Sequence, residues 1–284
     1  MTAPSPPSPV PARESTIAFI GGGNMARSLI GGLIARGTDP ATIRVAEPVA
    51  ELRQALAGQF GVQVFDGAAE AVQGAGLWLF AVKPQVMRAV CQALAWAASQ
   101  DRPLVVSIAA GITAAQLTRW LGGQAAVVRA MPNTPAMLGA GVTGLFATAQ
   151  VDQAGRARTE ALLSSVGETV WIEQEAQMDA VTAVSGSGPA YVFLLAEAME
   201  AAGIAQGLPA EAARALTLQT VLGAARMLTE SGQAPAELRR QVTSPGGTTQ
   251  AAIEVFQAGG FETLTAAAIA AATARGRALS AAND

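Results

Sequence analysis

The stretch TIAFIGGGNMARSLIGGLIA, residues 16–35, runs from β-favouring residues through a glycine turn into a helical pattern. In that setting Gly21, Gly23 and Ala26 fit the pattern G-x-G-x-x-G/A. The first glycine permits a tight turn, the second lets backbone approach a pyrophosphate, and a small third residue keeps helix and strand close. The helix N-terminus adds free N–H groups and the positive end of the macrodipole. The stretch therefore predicts a dinucleotide-binding unit, with a glycine turn in some other α/β unit as the alternative.

Strand and helix patterns alternate along the chain up to about residue 175. Strands are predicted at 16–20, 43–46, 62–65, 77–81, 104–107 and 126–130. Further apolar runs at 141–147 and 169–172 flank a helix near 152–165 and extend the sheet. This order predicts an α/β fold of the Rossmann-like, doubly wound type, whose mainly parallel sheet is covered by helices on both faces.

Beyond residue 175 the period-2 pattern ends and only helical patterns follow. Helices are predicted at 189–202, 209–231, 235–241, 248–257 and 261–279. The helix at 189–202 is apolar around most of its circumference, so we expect it to be buried on more than one side. We predict three segments: a disordered lead at 1–14, a dinucleotide-binding domain at 15–175 and an all-α dimerisation domain at 176–284. A compact monomeric bundle is the alternative to a dimer.

Composition narrows the class of protein. The chain has 284 residues, of which 51% are hydrophobic and 14% charged, and its formal net charge is −3. Scattered basic residues argue against a nucleic-acid partner or a membrane surface, so a small-molecule partner is expected. The longest apolar stretches are interrupted by polar residues such as Glu197 and Glu200, so no membrane span is predicted. Residues 1–14 lack the features of a targeting peptide, and the single cysteine suits a reducing compartment, which together predict a cytoplasmic protein.

Histidine is absent from the sequence. This excludes Ser-His and Cys-His nucleophiles, histidine-based zinc sites and a histidine general base, and we expect no metal. Cys91 is expected in the core rather than as a nucleophile. Lys83, the only lysine, follows the apolar run 77–82 at a predicted strand end, where open α/β sheets bind ligands. A chance survivor of an arginine-rich composition is the alternative.

A second glycine-rich turn, VTSPGGTT at residues 242–249, opens a helix in the second predicted domain. Its two glycines have no side chains, so the backbone N–H groups before the helix are accessible to a carboxylate or phosphate. The hydroxyls of Thr248 and Thr249 can bond a ring nitrogen. A well-capped helix start is the alternative interpretation. The functional one is strengthened by VSGSGPAY at residues 184–191, a similar turn that opens the first helix of the same domain.

A series of motifs together resembles the pyrroline-5-carboxylate reductase family. They are IGGGNMA at 20–26, AVKP at 81–84, SIAAG at 107–111, RAMPNTPA at 129–136, SGSGPAY at 185–191 and VTSPGGTT at 242–249. The resemblance implies an oxidoreductase that reduces 1-pyrroline-5-carboxylate to L-proline with NADPH or NADH, the last step of proline biosynthesis. It also implies a homodimer, which in this family often assembles into a decamer. Ala68 departs from the pattern, because many relatives have asparagine there, so a ribose or adenine contact would be missing.

The resemblance implies roles for individual residues. Implied cofactor-binding residues are Ile20, Gly21, Gly22, Gly23, Asn24, Met25, Ala26, Ala81, Val82, Lys83, Pro84, Ala109, Ala110, Gly111 and Gln241. Implied substrate-binding residues are Val242, Thr243, Ser244, Gly246, Gly247, Thr248 and Thr249. Thr249 is the implied catalytic residue, hydrogen-bonded to the ring nitrogen of the substrate.

Ala46 and Glu47 join the predicted cofactor set on a general principle. An acid at the end of the second strand commonly binds the ribose 2′-OH and repels a 2′-phosphate. We therefore predict that NADH is used unusually well for the family and that NADPH also works. The sequence leaves open the preference between them, dimer or decamer, the kinetic constants and feedback by proline.

Two other functions fit part of the pattern. One is another Rossmann oxidoreductase, of the β-hydroxyacid dehydrogenase or imine reductase type. The former needs a catalytic lysine in the second domain, where this chain has none. The other is a cofactor-sensing protein without turnover. Imine reduction needs a hydride donor, a held carboxylate and a protonated C=N bond, so it requires no histidine.

Overall fold

The computed structural model describes residues 15–283, so the predicted disordered lead at 1–14 lies outside the described residues. The described chain forms two compact units. Residues 15–186 together with residues 272–283 make up the first, and Ser187–Ala271 make up the second. The first unit therefore takes in the C-terminal end of the chain. The predicted domain ranges, 15–175 and 176–284, stay a prediction.

Eight strands form one sheet in the order β3-β2-β1-β4-β5-β6-β7-β8. The strands are β1 (Ile17–Ile20), β2 (Ile43–Ala46), β3 (Gln63–Phe65), β4 (Leu77–Phe80), β5 (Leu104–Ser107), β6 (Ala126–Met131), β7 (Gly141–Ala147) and β8 (Gly167–Trp171). Neighbours from β3 to β6 are parallel, β7 is antiparallel to β6, and β8 is parallel to β7. The predicted mainly parallel sheet is confirmed, including its extension by residues 141–147.

The helices of the first unit alternate with the strands. They are α1 (Asn24–Ala35), α2 (Ala50–Phe60), α3 (Ala68–Ala71), α4 (Pro84–Asp101), α5 (Ala114–Trp120), α6 (Gln153–Leu163) and α7 (Met178–Val181). Because successive strand side chains point to opposite faces, Phe19 packs into one core layer while Ala18 and Ile20 pack into the other. Leu29 of α1 covers the first face and Met87 of α4 covers the second. The doubly wound prediction is confirmed.

Cys91 lies on α4 and is fully buried in the second core layer. Burial raises the pKa of its thiol from 9.0 to about 12. Because the thiolate is the reactive form, a thiol that stays protonated at neutral pH is not a nucleophile. The prediction that Cys91 belongs to the core is confirmed.

The segment after β8 contains structure that no sequence pattern predicted. A 3-10 turn (Glu175–Gln177), helix α7 and a π-helical turn (Thr182–Gly186) follow each other without a break. Glu175 fixes the start, because its Oε1 accepts hydrogen bonds from the backbone N–H of Ala114 at 2.6 Å and from Nη1 of Arg129 at 2.7 Å. These partners are distant in sequence, so local periodicity carries no trace of them.

The second unit is helical, as predicted. It contains α8 (Gly188–Ala205), α9 (Ala210–Glu230), α10 (Pro235–Gln241), α11 (Thr248–Ala258) and the beginning of α12 (Phe261–Ala282), which ends in the first unit. Large apolar side chains remain exposed on it, among them Phe193 at 65%, Leu194 at 66% and Val255 at 73%. None of the helices within residues 15–283 is long and apolar enough to cross a membrane.

Candidate functional site

Four loops meet at the carboxyl edge of the parallel strands. Ile20 at the end of β1 is level with Ala46 of β2 and with Phe80 of β4, and Phe80 is level with Ser107 of β5. Strands β2 and β3 are added on one side of β1, whereas β4, β5 and β6 are added on the other side. The strand order therefore reverses between β1 and β4, which is the position where open α/β sheets bind ligands. The structure thus brings together the predicted cofactor residues at 20–26, 46–47, 81–84 and 109–111.

The glycine turn (residues 20–26) is held tightly between β2 and β4. The N–H of Gly21 donates to the carbonyl of Ala46 at 2.8 Å, and the N–H of Ala81 donates to the carbonyl of Ile20 at 2.8 Å. Gly21 has φ +103°, and a Cβ there would lie 2.8 Å from the carbonyl oxygen of Ala81. Both the backbone conformation and the close approach therefore require glycine at this position.

Gly23 differs from Gly21 in having open space around it in the described part of the chain. A Cβ at Gly23 would meet nothing within 4 Å among the described residues. Gly23 is the N-cap of α1, no side chain caps this helix start, and its first turn carries no acidic residue. The positive end of α1 and its free N–H groups thus face an open approach, which fits a pyrophosphate.

Glu47 directs its carboxylate back at the glycine turn. The residue is 7% exposed and directly follows β2. Its Oε2 accepts a hydrogen bond from the N–H of Gly22 at 3.0 Å, and its Oε1 accepts one from the N–H of Val49 at 3.0 Å. The carboxylate is therefore fixed beside the turn and does not swing into solvent.

The loops after β4 and β5 complete this edge. Lys83 is exposed and forms the N-cap of α4, whose first residue is Pro84. Gly111 has φ +71°, and its carbonyl accepts a hydrogen bond from Nδ2 of Asn283 at 3.0 Å. Sequence reasoning missed Asn283, because nothing in the local pattern shows that the end of α12 returns to residues 109–111.

The Ser-Pro turn (residues 242–249) belongs to the second unit and joins α10 to α11. Gly246 has φ +70°. Its N–H donates to Oε1 of Gln250 at 2.7 Å, and the N–H of Gly247 donates to the carbonyl of Ser244 at 3.0 Å. The structure therefore brings the predicted substrate residues together on one turn. Sequence reasoning missed Gln250, although its position four residues after Gly246 was the available signal.

Thr249 and Gln241 flank this turn. No partner of the Thr249 hydroxyl lies within residues 15–283, so the hydroxyl can bond a ligand. Thr243 is engaged, because its hydroxyl donates to the carbonyl of Arg239 at 2.6 Å. Gln241 ends α10, and its amide donates to Oε1 of Gln233 at 2.7 Å. In the part of the chain that the structure describes, no group of three or more acidic or cysteine side chains is placed to hold a metal ion.

Comparison with known proteins connects these two turns to one family. Residues 175–279 match the family model described as pyrroline-5-carboxylate reductase dimerisation. Residues 16–111 match the model described as NADP oxidoreductase coenzyme F420-dependent. A pyrroline-5-carboxylate reductase of Pseudomonas aeruginosa is 57% identical over 259 residues, which cover 91% of this chain and 94% of that protein. The chain belongs to the pyrroline-5-carboxylate reductase family.

Solved members of the pyrroline-5-carboxylate reductase family have the same fold. The enzyme of Coxiella burnetii superposes with a TM-score of 0.91 at 43% identity, covering 93% of this chain and 98% of that one. A Plasmodium falciparum pyrroline carboxylate reductase with NADP bound superposes with a TM-score of 0.81 at 26% identity, with the same coverage of 93% and 98%. The resemblance stated from the sequence motifs is confirmed, as is the pairing of a Rossmann-like domain with a helical dimerisation domain.

Proposed function

We propose that this protein reduces 1-pyrroline-5-carboxylate to L-proline by hydride transfer from NADPH or NADH, the last step of proline biosynthesis. The observation that carries the proposal is the 57% identity to a pyrroline-5-carboxylate reductase across 91% of the chain. The geometry of the first unit supports it, because the glycine turn at the carboxyl edge of the sheet leads into α1, whose N-terminus has no side-chain cap. The geometry of the second unit supports it with a separate amide-rich turn.

The cofactor side of the site is proposed as follows. Residues 20–26 bind the pyrophosphate through the backbone and the N-terminus of α1. Ala46 and Glu47 contact the adenosine ribose, while residues 81–84 and 109–111 bind the remaining cofactor surface. Gln241 lies near the nicotinamide. The cofactor supplies the hydride, so these residues act by holding it in place.

The substrate side is proposed at the Ser-Pro turn. The substrate carboxylate binds at the backbone N–H groups of the turn from Ser244 to Thr248, where Pro245 contributes none, and it replaces Gln250 as the partner of the Gly246 N–H. Val242 and Thr243 shape the turn that presents these groups. The hydroxyl of Thr249 bonds the ring nitrogen, which is protonated from solvent or arrives as the iminium. Orientation of two bound reactants contributes about 7 to 11 kcal/mol to such reactions, so a site without histidine is sufficient.

The match of residues 175–279 to a dimerisation model supports an oligomeric protein. We propose a homodimer formed through the exposed apolar faces of the second unit, with a decamer of five dimers as the larger assembly. Residues 15–175 and 176–284 are the proposed cofactor-binding and dimerisation domains. We place the protein in the cytoplasm, where a buried free thiol such as Cys91 is stable.

The test is to mix the purified protein with 1-pyrroline-5-carboxylate and NADPH while following the absorbance of the reduced nicotinamide. We expect cofactor oxidation matched by L-proline formation, and none with a β-hydroxyacid and NADP⁺ or with an acyclic imine and NADPH. Cofactor binding without turnover of any substrate would indicate a sensing protein instead. Turnover confined to the other substrates would assign the chain to another oxidoreductase class.

A further inference from the structure

Two opposite charges stand at the end of β2, beside the glycine turn. Glu47 provides the negative one, and its carboxylate is oriented by the N–H groups of Gly22 and Val49. Arg53 of α2 provides the positive one. Its Nη1 donates to the carbonyl oxygens of Glu47 and Pro48, both at 2.8 Å. Both side chains are thus positioned by backbone groups of the same short loop.

The two charges do not neutralise each other. No ion pair joins Glu47 and Arg53 in the described chain, because Arg53 bonds the carbonyl of Glu47 and not its carboxylate. Each carboxylate oxygen accepts one backbone N–H and keeps capacity for another donor. Arg53 uses one nitrogen, and its Nε and Nη2 have no hydrogen-bond partner within residues 15–283. Each side chain therefore retains hydrogen-bonding groups for a ligand.

Arg44, on β2 itself, is a second arginine near this loop, and its side chain is engaged elsewhere. Its Nε donates to the carbonyl of Ala71 at 2.8 Å and its Nη2 to the carbonyl of Glu70 at 2.7 Å. Its guanidinium also lies over the ring of Phe65 at 4.3 Å. Arg44 thus braces α3 against the sheet, which leaves Arg53 as the cation beside Glu47.

We propose that Glu47 and Arg53 form a paired cofactor selector, in which Glu47 accepts the ribose 2′-OH of NADH and Arg53 binds the 2′-phosphate of NADPH. This inference rests on the cofactor site proposed above. Acids at this position favour NADH by bonding the 2′-OH and repelling phosphate, and a nearby arginine accommodates the phosphate. A chain that carries both, held apart by separate backbone anchors, binds both cofactors with similar affinity.

The experiment measures dissociation constants for NADH and for NADPH by nicotinamide fluorescence, without substrate. For the wild-type protein we expect the two constants to agree within about tenfold. Glu47→Gln removes the charge and keeps the shape, so NADPH affinity should gain on NADH affinity by about ten- to thirtyfold. Arg53→Ala should weaken NADPH by about tenfold and change NADH by less than about threefold.

Two control variants distinguish cofactor discrimination by Glu47 and Arg53 from the effect of removing any charge on this domain. Glu51→Gln removes a carboxylate from an exposed position in the first turn of α2, and Arg36→Ala removes a guanidinium that bonds Ser164 beyond the other end of α1. Neither should change the ratio of the two constants by more than about twofold. A thermal melt of each variant reports folding independently of binding.

Several outcomes would contradict the proposal that Glu47 and Arg53 select between the two cofactors. If Glu47→Gln weakens both cofactors equally, Glu47 only braces the turn through Gly22. If Arg53→Ala changes both constants equally or neither, Arg53 is a loop anchor alone. If the wild-type protein binds neither cofactor, the proposed function itself fails, and that result is distinguishable because it appears before any substitution.

Discussion

The glycine turn and the Ser-Pro turn use the same device, a glycine-rich loop that leads into the N-terminus of a helix. They differ in what surrounds them. In the glycine turn, Gly21 bonds Ala46 and a Cβ there would contact Ala81, so the sheet holds the loop from behind. In the Ser-Pro turn, the N–H of Gly246 donates to the side chain of Gln250, which lies in the helix that directly follows the turn.

This difference shows what holds each of the two turns in shape. The glycine turn is fixed by three strands of one unit, so its shape is complete within one chain. The Ser-Pro turn lies in a unit whose large apolar side chains stand exposed, and that unit matches a dimerisation model. Its rigidity is therefore expected to depend on association with another copy, and the predictions below test that contrast.

Gly21→Val should have the largest effect. A β-branched residue at φ +103° is strained and its Cβ would contact the carbonyl of Ala81, so unfolding free energy should fall by about 3 to 5 kcal/mol. Gly23→Val is the matched control, because a Cβ at Gly23 meets no described atom. It should abolish cofactor binding while thermal stability stays nearly unchanged. Equal melting temperatures for both variants would contradict the claim that the sheet fixes the glycine turn at Gly21.

Leu194→Glu tests whether the second unit depends on a partner copy. Leu194 lies on α8 and is 66% exposed, so a monomer would tolerate glutamate there. A carboxylate buried in a dimer interface is costly, so we expect monomers by light scattering and loss of turnover. Glu197→Gln on the same helix, which adds no charge, is the control. A fully active monomer would show that the Ser-Pro turn is complete on its own.

Gly247→Val tests the Ser-Pro turn as the carboxylate site. A Cβ at Gly247 would lie 3.1 Å from the carbonyl of Ser244, and the larger side chain would cover the amides of the first helical turn. KM for 1-pyrroline-5-carboxylate should rise about a hundredfold, the loss of about 3 kcal/mol, while the NADPH dissociation constant is retained. An unchanged KM would show that the substrate carboxylate does not bind at this turn.

Thr249→Val should slow turnover without abolishing it. The substitution keeps the shape and removes one hydrogen bond to a charged group, worth about 1.5 to 3 kcal/mol, so kcat should fall about ten- to a hundredfold. Thr265→Val in α12, where the hydroxyl bonds the carbonyl of Phe261, is the control and should keep full kcat. Complete loss of activity from Thr249→Val would mean that the hydroxyl does more than orient the ring.

Gln250→Ala has the smallest expected effect and tests whether the side chain of Gln250 competes with the substrate at the Ser-Pro turn. Oε1 of Gln250 occupies the N–H of Gly246, so a bound carboxylate must displace it. Removing it should lower KM for the substrate by about two- to fivefold, within the net value of one hydrogen bond. A raised KM would mean that Gln250 shapes the turn for the ligand.

Much of the fold followed from the sequence because its signals are local. The strand at residues 17–20, the glycine turn and the helix at 24–35 are each encoded by adjacent residues. The segment Thr182–Gly186 and its neighbours were not predictable, because Glu175 is placed by Ala114 and Arg129, which are distant in the chain. Likewise the sequence shows an acid at residue 47 but not that its carboxylate faces Gly22.

The hydrogen bond from Asn283 to the carbonyl of Gly111 has a practical side for anyone who handles this protein. The chain leaves the first unit after residue 186 and re-enters it at residue 272, so an expression fragment that stops at residue 186 would omit a piece of that unit. An affinity tag fused after residue 284 would be separated by one residue from Asn283, whose side chain bonds the loop at 109–111. Tags and immobilisation linkers therefore belong at the N-terminus.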